Sequence, residues 1–460
     1  MESQQIYSPK KIVYILPISI FIMIFDRIQF HPSVDMSLYR VLQIPILLFA
    51  ILFLLGRMKL TMNFFSFINL YLFGFILISF LSTFYAVSTY VAFDETRSVI
   101  ELIILAYIIF FFINKMWSED NWLLLAKSLM IAGMISGLTI FSDLSGWTNF
   151  YRLYSDIIPI ARPYGILGES NYAAGKLGLF LPFAFYCMIV EWKSKHYFQY
   201  IFSIISTLLI SIALFLTGSR MGGFIILFSF VVFIIKEINK LLSLKIMILM
   251  LTIALLVLIV YLMLPGSENF FADSISYTRE SYDTLYHYIM TGEESLGRES
   301  LSIRADLFHT GLEIFMEYPI LGIGPGNFKS VSGEYLSMGE NLYSHNTFIT
   351  VLTEFGVIGF LLFIGICYRV LRNIYAYYVK SSFNSFYFYF GLSFTNLLIV
   401  FCFLHDLRNK YFWGMFVMIA ILLESKNAIH ILANHNYNNK KTYISKGTMN
   451  YTVNDYEKYL

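Results

Sequence analysis

The chain has 460 residues, of which 58% are hydrophobic and only 13% are charged. Soluble globular domains are closer to about 45–50% apolar and about 25% charged, so the composition excludes a soluble protein and indicates a multi-pass membrane protein. The formal net charge of +2 carries no signature of a nucleic-acid partner, and the three cysteines lie inside apolar runs, which argues against a disulfide framework.

Twelve apolar segments are candidates to cross a bilayer, because a helix needs roughly 20 apolar residues to span the hydrocarbon core. In chain order they cover residues 11–26, 38–56, 64–86, 97–114, 122–142, 171–190, 199–217, 220–236, 244–264, 346–368, 383–404 and 411–424. Between two of them lies only TGSRMGG, which predicts a tight hairpin. The expected fold is therefore an all-α polytopic bundle: membrane helices in 1–264, a large loop with amphipathic helices in 265–345, further membrane helices in 346–424, and a flexible tail in 425–460.

The basic residues predict the topology, because Lys and Arg accumulate in cytoplasmic loops. With the N-terminus inside and the first span retained, 19 of the 32 basic residues lie on the inner side. Both termini are then cytoplasmic, and the segments 143–170 and 265–345 are outside. Most inner cations are lysine and most outer ones are arginine, whose planar fork suits phosphate oxygens. Arginine also snorkels well at helix ends, and this plain alternative stays open for each one.

The long outer loop contains one segment with helical periodicity, SIRADLFHTGLEIFMEYPILGIGPGNF. Its apolar positions recur at helical spacing and include Leu307, Ile314, Phe315 and Tyr318. The proline and glycines of YPILGIGPGNF then end the helix. The loop holds 12 acidic and four basic residues, so a cation that binds phosphate there must act locally.

His345 stands at the start of an apolar segment, in the stretch LYSHNTFITVLTEFGVIGFLLF. An imidazole with an ordinary pKa of about 6.5 can accept a proton at neutral pH, which suits a general base. The plain alternative is a histidine at the membrane surface, with Ser344 or Asn346 capping the helix. The residues alone leave both interpretations open.

Two arginines mark candidate anion sites. Arg220 follows LTGS and precedes a Gly-Gly pair, where the backbone can approach a ligand and the next helix directs its positive N-terminal end. Arg304 opens the amphipathic helix of the outer loop. The plain alternatives are a snorkelling arginine for Arg220 and an ion pair with Asp306 or Glu299 for Arg304.

Several further residues are candidates for binding substrate. Arg162 and Asn171 lie in ARPYGILGESNYAAGKLG, whose glycines and asparagine predict a close-packed, re-entrant entry to a cavity. His405 and Arg408 form a weaker set in FLHDLRNKYF, and Asn346 adjoins His345.

Motifs for several other activities do not occur in the sequence. There is no Walker loop, metal-binding His pair, Gly-x-Ser-x-Gly elbow or Asp-x-Asp pair. Ion-coupled transporters keep ionisable groups near the membrane midplane, and Glu101 and Glu354 are the main ones inside spans here. Glu354 is nine residues past His345, about 180° around an ideal helix, so the two should not share a face.

Three motifs make the chain similar to a known superfamily: LTGSRMGGFIIL, RADLFHTGLEIFMEYPILGIGPGNF and YSHNTFITVLTEFGVIGFLLF. A fourth, RPYGILGESNYAAGKL, fits less closely, because many members have Pro-Asn where this chain has Ser170-Asn171. In this order the motifs resemble the O-antigen ligase and Wzy-type polymerase superfamily of bacterial envelope glycosyltransferases.

The resemblance implies a membrane glycosyltransferase of the GT-C type that takes its glycan from undecaprenyl diphosphate, at the outer face of the bacterial cytoplasmic membrane. It implies that Arg220 and Arg304 hold the diphosphate, that His345 activates the acceptor hydroxyl, and that no metal or other cofactor is needed. The expected partners are the bilayer, the lipid-linked donor, a glycan or lipid A core acceptor, and chain-length regulator and flippase proteins.

Four functions fit the sequence to different degrees. The first is a polymerase that joins repeat units on the lipid carrier into polysaccharide, and the second is a ligase that moves finished glycan to lipid A core or another acceptor. A flippase for the lipid-linked glycan fits less well, because it would need a basic central cavity, whereas these arginines lie on one side. A non-catalytic assembly scaffold is the fourth.

Overall fold

The computed structural model describes residues 29–31, 34–37, 67–114, 119–145, 147–148, 163–241, 299–336, 339–380, 384–405 and 407. The predicted spans outside these residues are 11–26, 38–56, 244–264 and 411–424. The candidate residues Arg162 and Arg408 also lie outside them. The proposed domain limits stay predictions.

One short hairpin departs from the expected all-α class. Strand β1 (Gln29–His31) pairs antiparallel with strand β2 (Val34–Ser37). The remaining regular structure of the described chain is helical. Strands of three and four residues are too short to show the alternation by which strands are recognised in a sequence.

The helices follow the predicted spans closely. In chain order they are α1 (Phe67–Thr83), α2 (Thr89–Asn114), α3 (Glu119–Leu144), α4 (Ser170–Lys193), α5 (Tyr197–Leu216), α6 (Arg220–Leu241), α7 (Glu299–Glu317), α8 (Phe328–Tyr335), α9 (Thr347–Lys380) and α10 (Asn384–Phe403). Each predicted span within the described residues coincides with a helix, and the tight hairpin joins α5 to α6. Helix α8 lies in the loop that was expected to bear amphipathic helices, although the sequence pattern did not locate it.

Five helical segments in the described chain are long and apolar enough to cross a membrane. They are Trp122–Leu144, Ser170–Lys193, Tyr197–Leu216, Thr347–Ala376 and Ser385–Phe403. The shorter apolar segment Leu70–Thr83 accompanies them. The chain is therefore a helical membrane protein, as its composition indicated.

Helix α4 is the centre of the bundle and packs against α3, α5, α6 and α10. It is almost completely buried, as expected of a helix that is apolar on all sides. A Cβ added at Gly175 would meet Val400 of α10 at 3.2 Å, and one at Gly178 would meet Ile225 of α6 at 2.8 Å. Small residues at these positions allow the close approach by which membrane helices pack.

Pro182 interrupts the hydrogen-bond ladder of α4. Because proline has no backbone N–H, the carbonyl of Gly178 loses its helical donor. Asn396 of α10 replaces that donor: its Nδ2 donates to the Gly178 carbonyl at 2.8 Å and to Ser229 Oγ of α6 at 2.9 Å. An unsatisfied carbonyl inside a membrane bundle is costly, and a neighbouring helix satisfies this one.

Helices α4, α6 and α9 begin at one end of the bundle, and α10 ends there. The Tyr172 hydroxyl of α4 donates to the carbonyl of His405, just past α10, at 2.7 Å. Ser219, just before α6, donates its Oγ to Asn171 Oδ1 of α4 at 3.0 Å. We call this the site end, because it brings together most of the candidate residues.

Lysine and glutamate side chains gather at the opposite end. The buried Glu191 carboxylate forms an ion pair with Lys127 and lies 2.9 Å from His196 Nδ1. Lys236 Nζ donates to the Tyr378 hydroxyl at 2.7 Å. Because a buried charge is costly unless it is paired, these contacts account for charged groups within the bundle. Lys127 and Lys236 are among the 19 basic residues that the sequence assigns to the inner side.

Arg304 does not open its helix, contrary to expectation. Helix α7 begins at Glu299, so Arg304 lies in the second turn. An acidic residue such as Glu299 is favoured near the positive N-terminus of a helix, which explains the earlier start.

Helices α7, α8 and α9 share a second, smaller hydrophobic core. Its fully buried members are Leu307, Ile314, Ile323, Phe328, Val331, Leu336 and Ile349. Leu307 and Ile314 thus form the predicted apolar face of α7, and Phe315 is half-buried beside them. Tyr318 is exposed instead, because α7 ends one residue before it.

Candidate functional site

His345 adopts a left-handed backbone conformation directly before α9, with φ of 50°. Among the described residues other than glycine, it shares a positive φ with Lys195. This conformation is uncommon for a side chain such as histidine and persists where the surroundings determine it. The His345 side chain is half-buried.

Asn346 caps helix α9. Its Oδ1 accepts the backbone N–H of Ile349 at 3.1 Å, and its Nδ2 donates to the carbonyl of Cys402 in α10 at 3.2 Å. The capping interpretation is therefore confirmed for Asn346. Both ends of this amide are engaged in holding the turn, so its use for binding substrate would require these bonds to be exchanged.

Polar and aromatic side chains hold the turn from the other side. Ser344 Oγ is hydrogen-bonded to Thr350 Oγ1, which lies 3.0 Å from His405 Nδ1. The His405 ring stacks on Tyr343 with centroids 5.2 Å apart. His405 therefore contacts one residue before His345 and one after it in the chain. These contacts support a role for His405 in holding the His345 turn in place.

Arg220 is the first residue of α6, at the tight turn where Gly218 supplies a positive φ of 61°. The neighbouring Ser219 is bonded to Asn171, whose Nδ2 donates to Glu169 Oε1 at 3.2 Å. Within the described residues, the Arg220 guanidinium makes no hydrogen bond or ion pair. Its donors are therefore available to an anion.

Two charged side chains act on His345. Burial lowers the pKa of His345 below its ordinary value, and the positive charge of Arg304 lowers it further. The carboxylate of Glu169 acts in the opposite direction. The imidazole is therefore neutral at pH 7 and can accept a proton. Helix α7, which carries Arg304, packs directly against α9, which begins two residues after His345.

Three helix N-termini add local positive potential at the site end. Helices α4, α6 and α9 each begin there, and a helix N-terminus carries a partial positive charge from its free N–H groups. The guanidinium groups of Arg220 and Arg304 add two full charges. This arrangement favours an anionic ligand beside a neutral histidine.

The structure connects most of the predicted residues and adds others. Asn171 adjoins the Arg220 turn, and His405 adjoins the His345 turn. Glu169 and Thr350 were missed in the sequence, although Glu169 lies in the same motif as Asn171 and Thr350 lies one turn after Asn346. Their importance depends on tertiary contacts that the sequence pattern does not show.

The segment ARPYGILGESNYAAGKLG (161–178) was expected to form a close-packed, re-entrant entry to a cavity, and the structure describes it from Pro163 onward. Gly165, Ile166 and Leu167 form a buried 3-10 turn, and the backbone N–H of Ile166 donates to Thr139 Oγ1 of α3 at 3.2 Å. The close packing is confirmed, while the cavity stays a prediction. In the part of the chain that the structure describes, no group of three or more His, Cys, Asp or Glu residues could hold a metal ion.

These features define a helical membrane protein with a histidine and two arginines at one end of its bundle. Residues 205–364 match the family model described as O-antigen ligase. The match contains Arg220, Arg304 and His345, and it confirms the resemblance to the O-antigen ligase and Wzy-type superfamily. The comparison with curated proteins gave no match.

Proposed function

We propose that this protein transfers a glycan from a lipid diphosphate to an acceptor hydroxyl at the membrane surface. The observation that carries the proposal is the position of His345, in a left-handed turn before α9. Arg220 and three helix N-termini lie at the same end of the bundle, and α7, which carries Arg304, packs against α9 there. A transfer of this kind needs a base for the acceptor and positive charge for the leaving group, and the site offers both.

In the proposed step, the acceptor oxygen attacks the anomeric carbon of the donor glycan. The bond from that carbon to the diphosphate oxygen breaks, and its electron pair leaves with the lipid diphosphate. The acceptor proton passes to His345. Arg220 and Arg304 stabilise the charge that develops on the diphosphate, so the proposed step uses no metal ion. Direct attack inverts the anomeric centre.

The donor we propose is a glycan on undecaprenyl diphosphate, presented at the outer face of the cytoplasmic membrane. This location follows from the basic residues, since the lysine-rich end of the bundle is the one expected inside. The complete bundle would then hold about 12 spans of GT-C type, with the diphosphate at the lipid–water boundary.

Two acceptors fit this reaction. The first is another lipid-linked repeat unit, which makes the protein a polysaccharide polymerase. The second is lipid A core or another terminal acceptor, which the description of the matching family, O-antigen ligase, favours. The surface glycan of a deletion strain separates them: single repeat units on the core indicate a polymerase, and full chains left on the carrier indicate a ligase.

The variant His345→Ala tests the proposed base. Because general acid–base catalysis contributes on the order of 10²–10⁴-fold, glycan transfer by the purified variant should fall by at least about 100-fold, while binding of the lipid-linked donor is retained. The exposed His309 of α7 provides the control, since His309→Ala removes an imidazole from the same helix as Arg304. Transfer by His345→Ala at near the wild-type rate would disprove the assignment.

A further inference from the structure

The segment that joins α7 to α8, residues 318–327, fits into a break in α9, and we call it the clasp. At the break, Gly356 has φ of 64° and ψ of −170°. A break deprives helical backbone groups of their usual partners, and the clasp replaces them. The Val357 N–H donates to the Pro319 carbonyl at 2.8 Å. Before the break, the Ile323 N–H donates to the Thr353 carbonyl and the Gly324 N–H donates to the Glu354 carbonyl, each at 3.0 Å.

The side chain of Glu354 completes this contact. The residue is buried, and each oxygen of its carboxylate accepts a backbone N–H: Oε2 from Gly326 at 2.7 Å and Oε1 from Phe328 at 3.0 Å. Acceptance at both oxygens is the pattern of an ionised carboxylate, and charge-assisted bonds of this kind are stronger than neutral ones. One side chain of α9 therefore holds the end of the clasp and the start of α8.

The clasp is also tied to the end of α1 and the turn before α2. Ser82 Oγ donates to the Leu321 carbonyl at 2.9 Å, and the Ser88 N–H donates to Asn327 Oδ1 at 2.8 Å. The clasp is thus fixed between two parts of the membrane bundle. Its position cannot change without breaking bonds on both sides.

The clasp connects the chain segments that carry Arg304 and His345. Helix α7, which carries Arg304, enters it, and α8 leads from it towards His345. A Cβ added at Gly311 of α7 would meet Ile349 Cγ2 of α9 at 2.3 Å, so α7 lies directly against α9. The angle and height of α7 over α9 are therefore set where the clasp is anchored.

We propose that Glu354 is a positioning residue for the glycan-transfer site. Its carboxylate anchors the clasp in the break of α9 and thereby holds Arg304 of α7 opposite His345. Glu354 touches no substrate in this role, and the inference rests on the proposed function of Arg304 as a ligand of the donor diphosphate.

The variant Glu354→Gln tests the inference, because the amide keeps the shape of the side chain but presents N–H groups where the clasp needs an acceptor. We expect the KM for the lipid-diphosphate donor to rise by about tenfold, the scale of one lost charge-assisted hydrogen bond. In an Arg304→Ala background, Glu354→Gln should have almost no further effect on this KM, because the residue it positions is already missing. A merely structural loss would reduce the amount of folded enzyme and the apparent kcat, and would leave KM unchanged.

The buried Glu237 provides a matched control at the opposite end of the bundle, where it accepts a hydrogen bond from the Tyr389 hydroxyl at 3.2 Å. Glu237→Gln should leave the donor KM unchanged. If Glu354→Gln does not fold, Ser82→Ala loosens the same clasp from the α1 side and should raise KM with the same dependence on Arg304.

Two results would overturn the inference in different ways. An equal increase in KM with and without Arg304, or no increase, would show that Glu354 does not act through Arg304 while leaving the proposed function intact. Wild-type transfer by Arg304→Ala alone would remove the diphosphate role of Arg304, and the role of Glu354 would fail with it.

Discussion

His345 must be neutral before the reaction and must tolerate a proton after it. A strongly cationic site favours the first of these requirements and opposes the second. A diphosphate site needs positive charge, and that charge favours a neutral imidazole, as Arg304 does here. A base must also tolerate the proton that it receives, and the carboxylate of Glu169 stabilises the protonated form. Burial has the largest effect on the pKa of His345, and these two neighbours change that pKa in opposite directions.

The pH dependence of transfer should report this balance. A general base is active when neutral, so kcat/KM falls as the pH drops through the pKa of His345. Glu169→Gln removes the charge that raises this pKa, so the acidic limb of the pH profile should move to lower pH, by up to about one unit, the usual spread of histidine pKa values. Arg304→Gln removes a charge that lowers the pKa, so the limb measured on its residual activity should move to higher pH. An acidic limb that stays in place in Glu169→Gln would contradict the assignment.

Two membrane helices depend on partners outside their own ladders. Helix α4 loses a donor at Pro182 and gains one from Asn396, while α9 breaks at Gly356 and is completed by the clasp. In both cases the backbone irregularity is buried within protein, as the bilayer requires. A Cβ at Gly356 would lie 2.2 Å from the Ile320 carbonyl oxygen, so this break also needs the glycine.

The stability of α4 should therefore depend on α10. Asn396→Leu should lower the free energy of unfolding in mixed micelles by about 1 kcal/mol, the scale of a hydrogen bond between membrane helices. In a Pro182→Ala background, Gly178 regains a helical donor, so the same change should cost less. Thr395→Val is the control, since Thr395 Oγ1 donates to the Gly391 carbonyl of its own helix at 2.9 Å. If Asn396→Leu lowers the free energy of unfolding equally in both backgrounds, Asn396 does not compensate for the donor that Pro182 lacks.

Local patterns in the sequence predicted the local parts of this structure. Apolar runs located the membrane helices of the described chain, and TGSRMGG located the hairpin between α5 and α6. Capping was one of the interpretations offered for Asn346, because its partner is only three residues away. The clasp was read only as a turn, since its partners Ser82 and Ser88 are more than 200 residues distant in the chain. A glycine that breaks a helix looks the same in sequence as one that packs inside it, so Gly356 gave no signal.

The two ends of the whole bundle carry different chemistry. Arg220, Arg304 and His345 occupy the site end, while the paired Lys127 and Glu191 occupy the other. Lysine is the residue that the cytoplasmic side of a membrane protein accumulates. The two ends of the described bundle thus differ in their charged residues, and this difference predicts the orientation of the protein in the membrane.

Cysteine labelling can measure that orientation. In a chain with Cys187, Cys367 and Cys402 replaced by alanine, an impermeant maleimide should label Glu340→Cys in right-side-out vesicles and Lys193→Cys in inside-out vesicles. Both positions are exposed, at opposite ends of the bundle. Labelling of detergent-solubilised protein at both cysteines is the control. The reverse pattern would place the site end in the cytoplasm and exclude an extracytoplasmic reaction.

The break in α9 also bears on how the protein is made. A span with unpaired backbone groups enters a bilayer at a cost of several kcal/mol for each group. The clasp precedes α9 in the chain and is synthesised first, so the donors and acceptors that complete the break exist before the broken span emerges from the ribosome. Because of this chain order, the hydrogen-bond partners of the break are already present when α9 is inserted. In a chain permuted to place α9 ahead of the clasp, these partners would be absent at that moment.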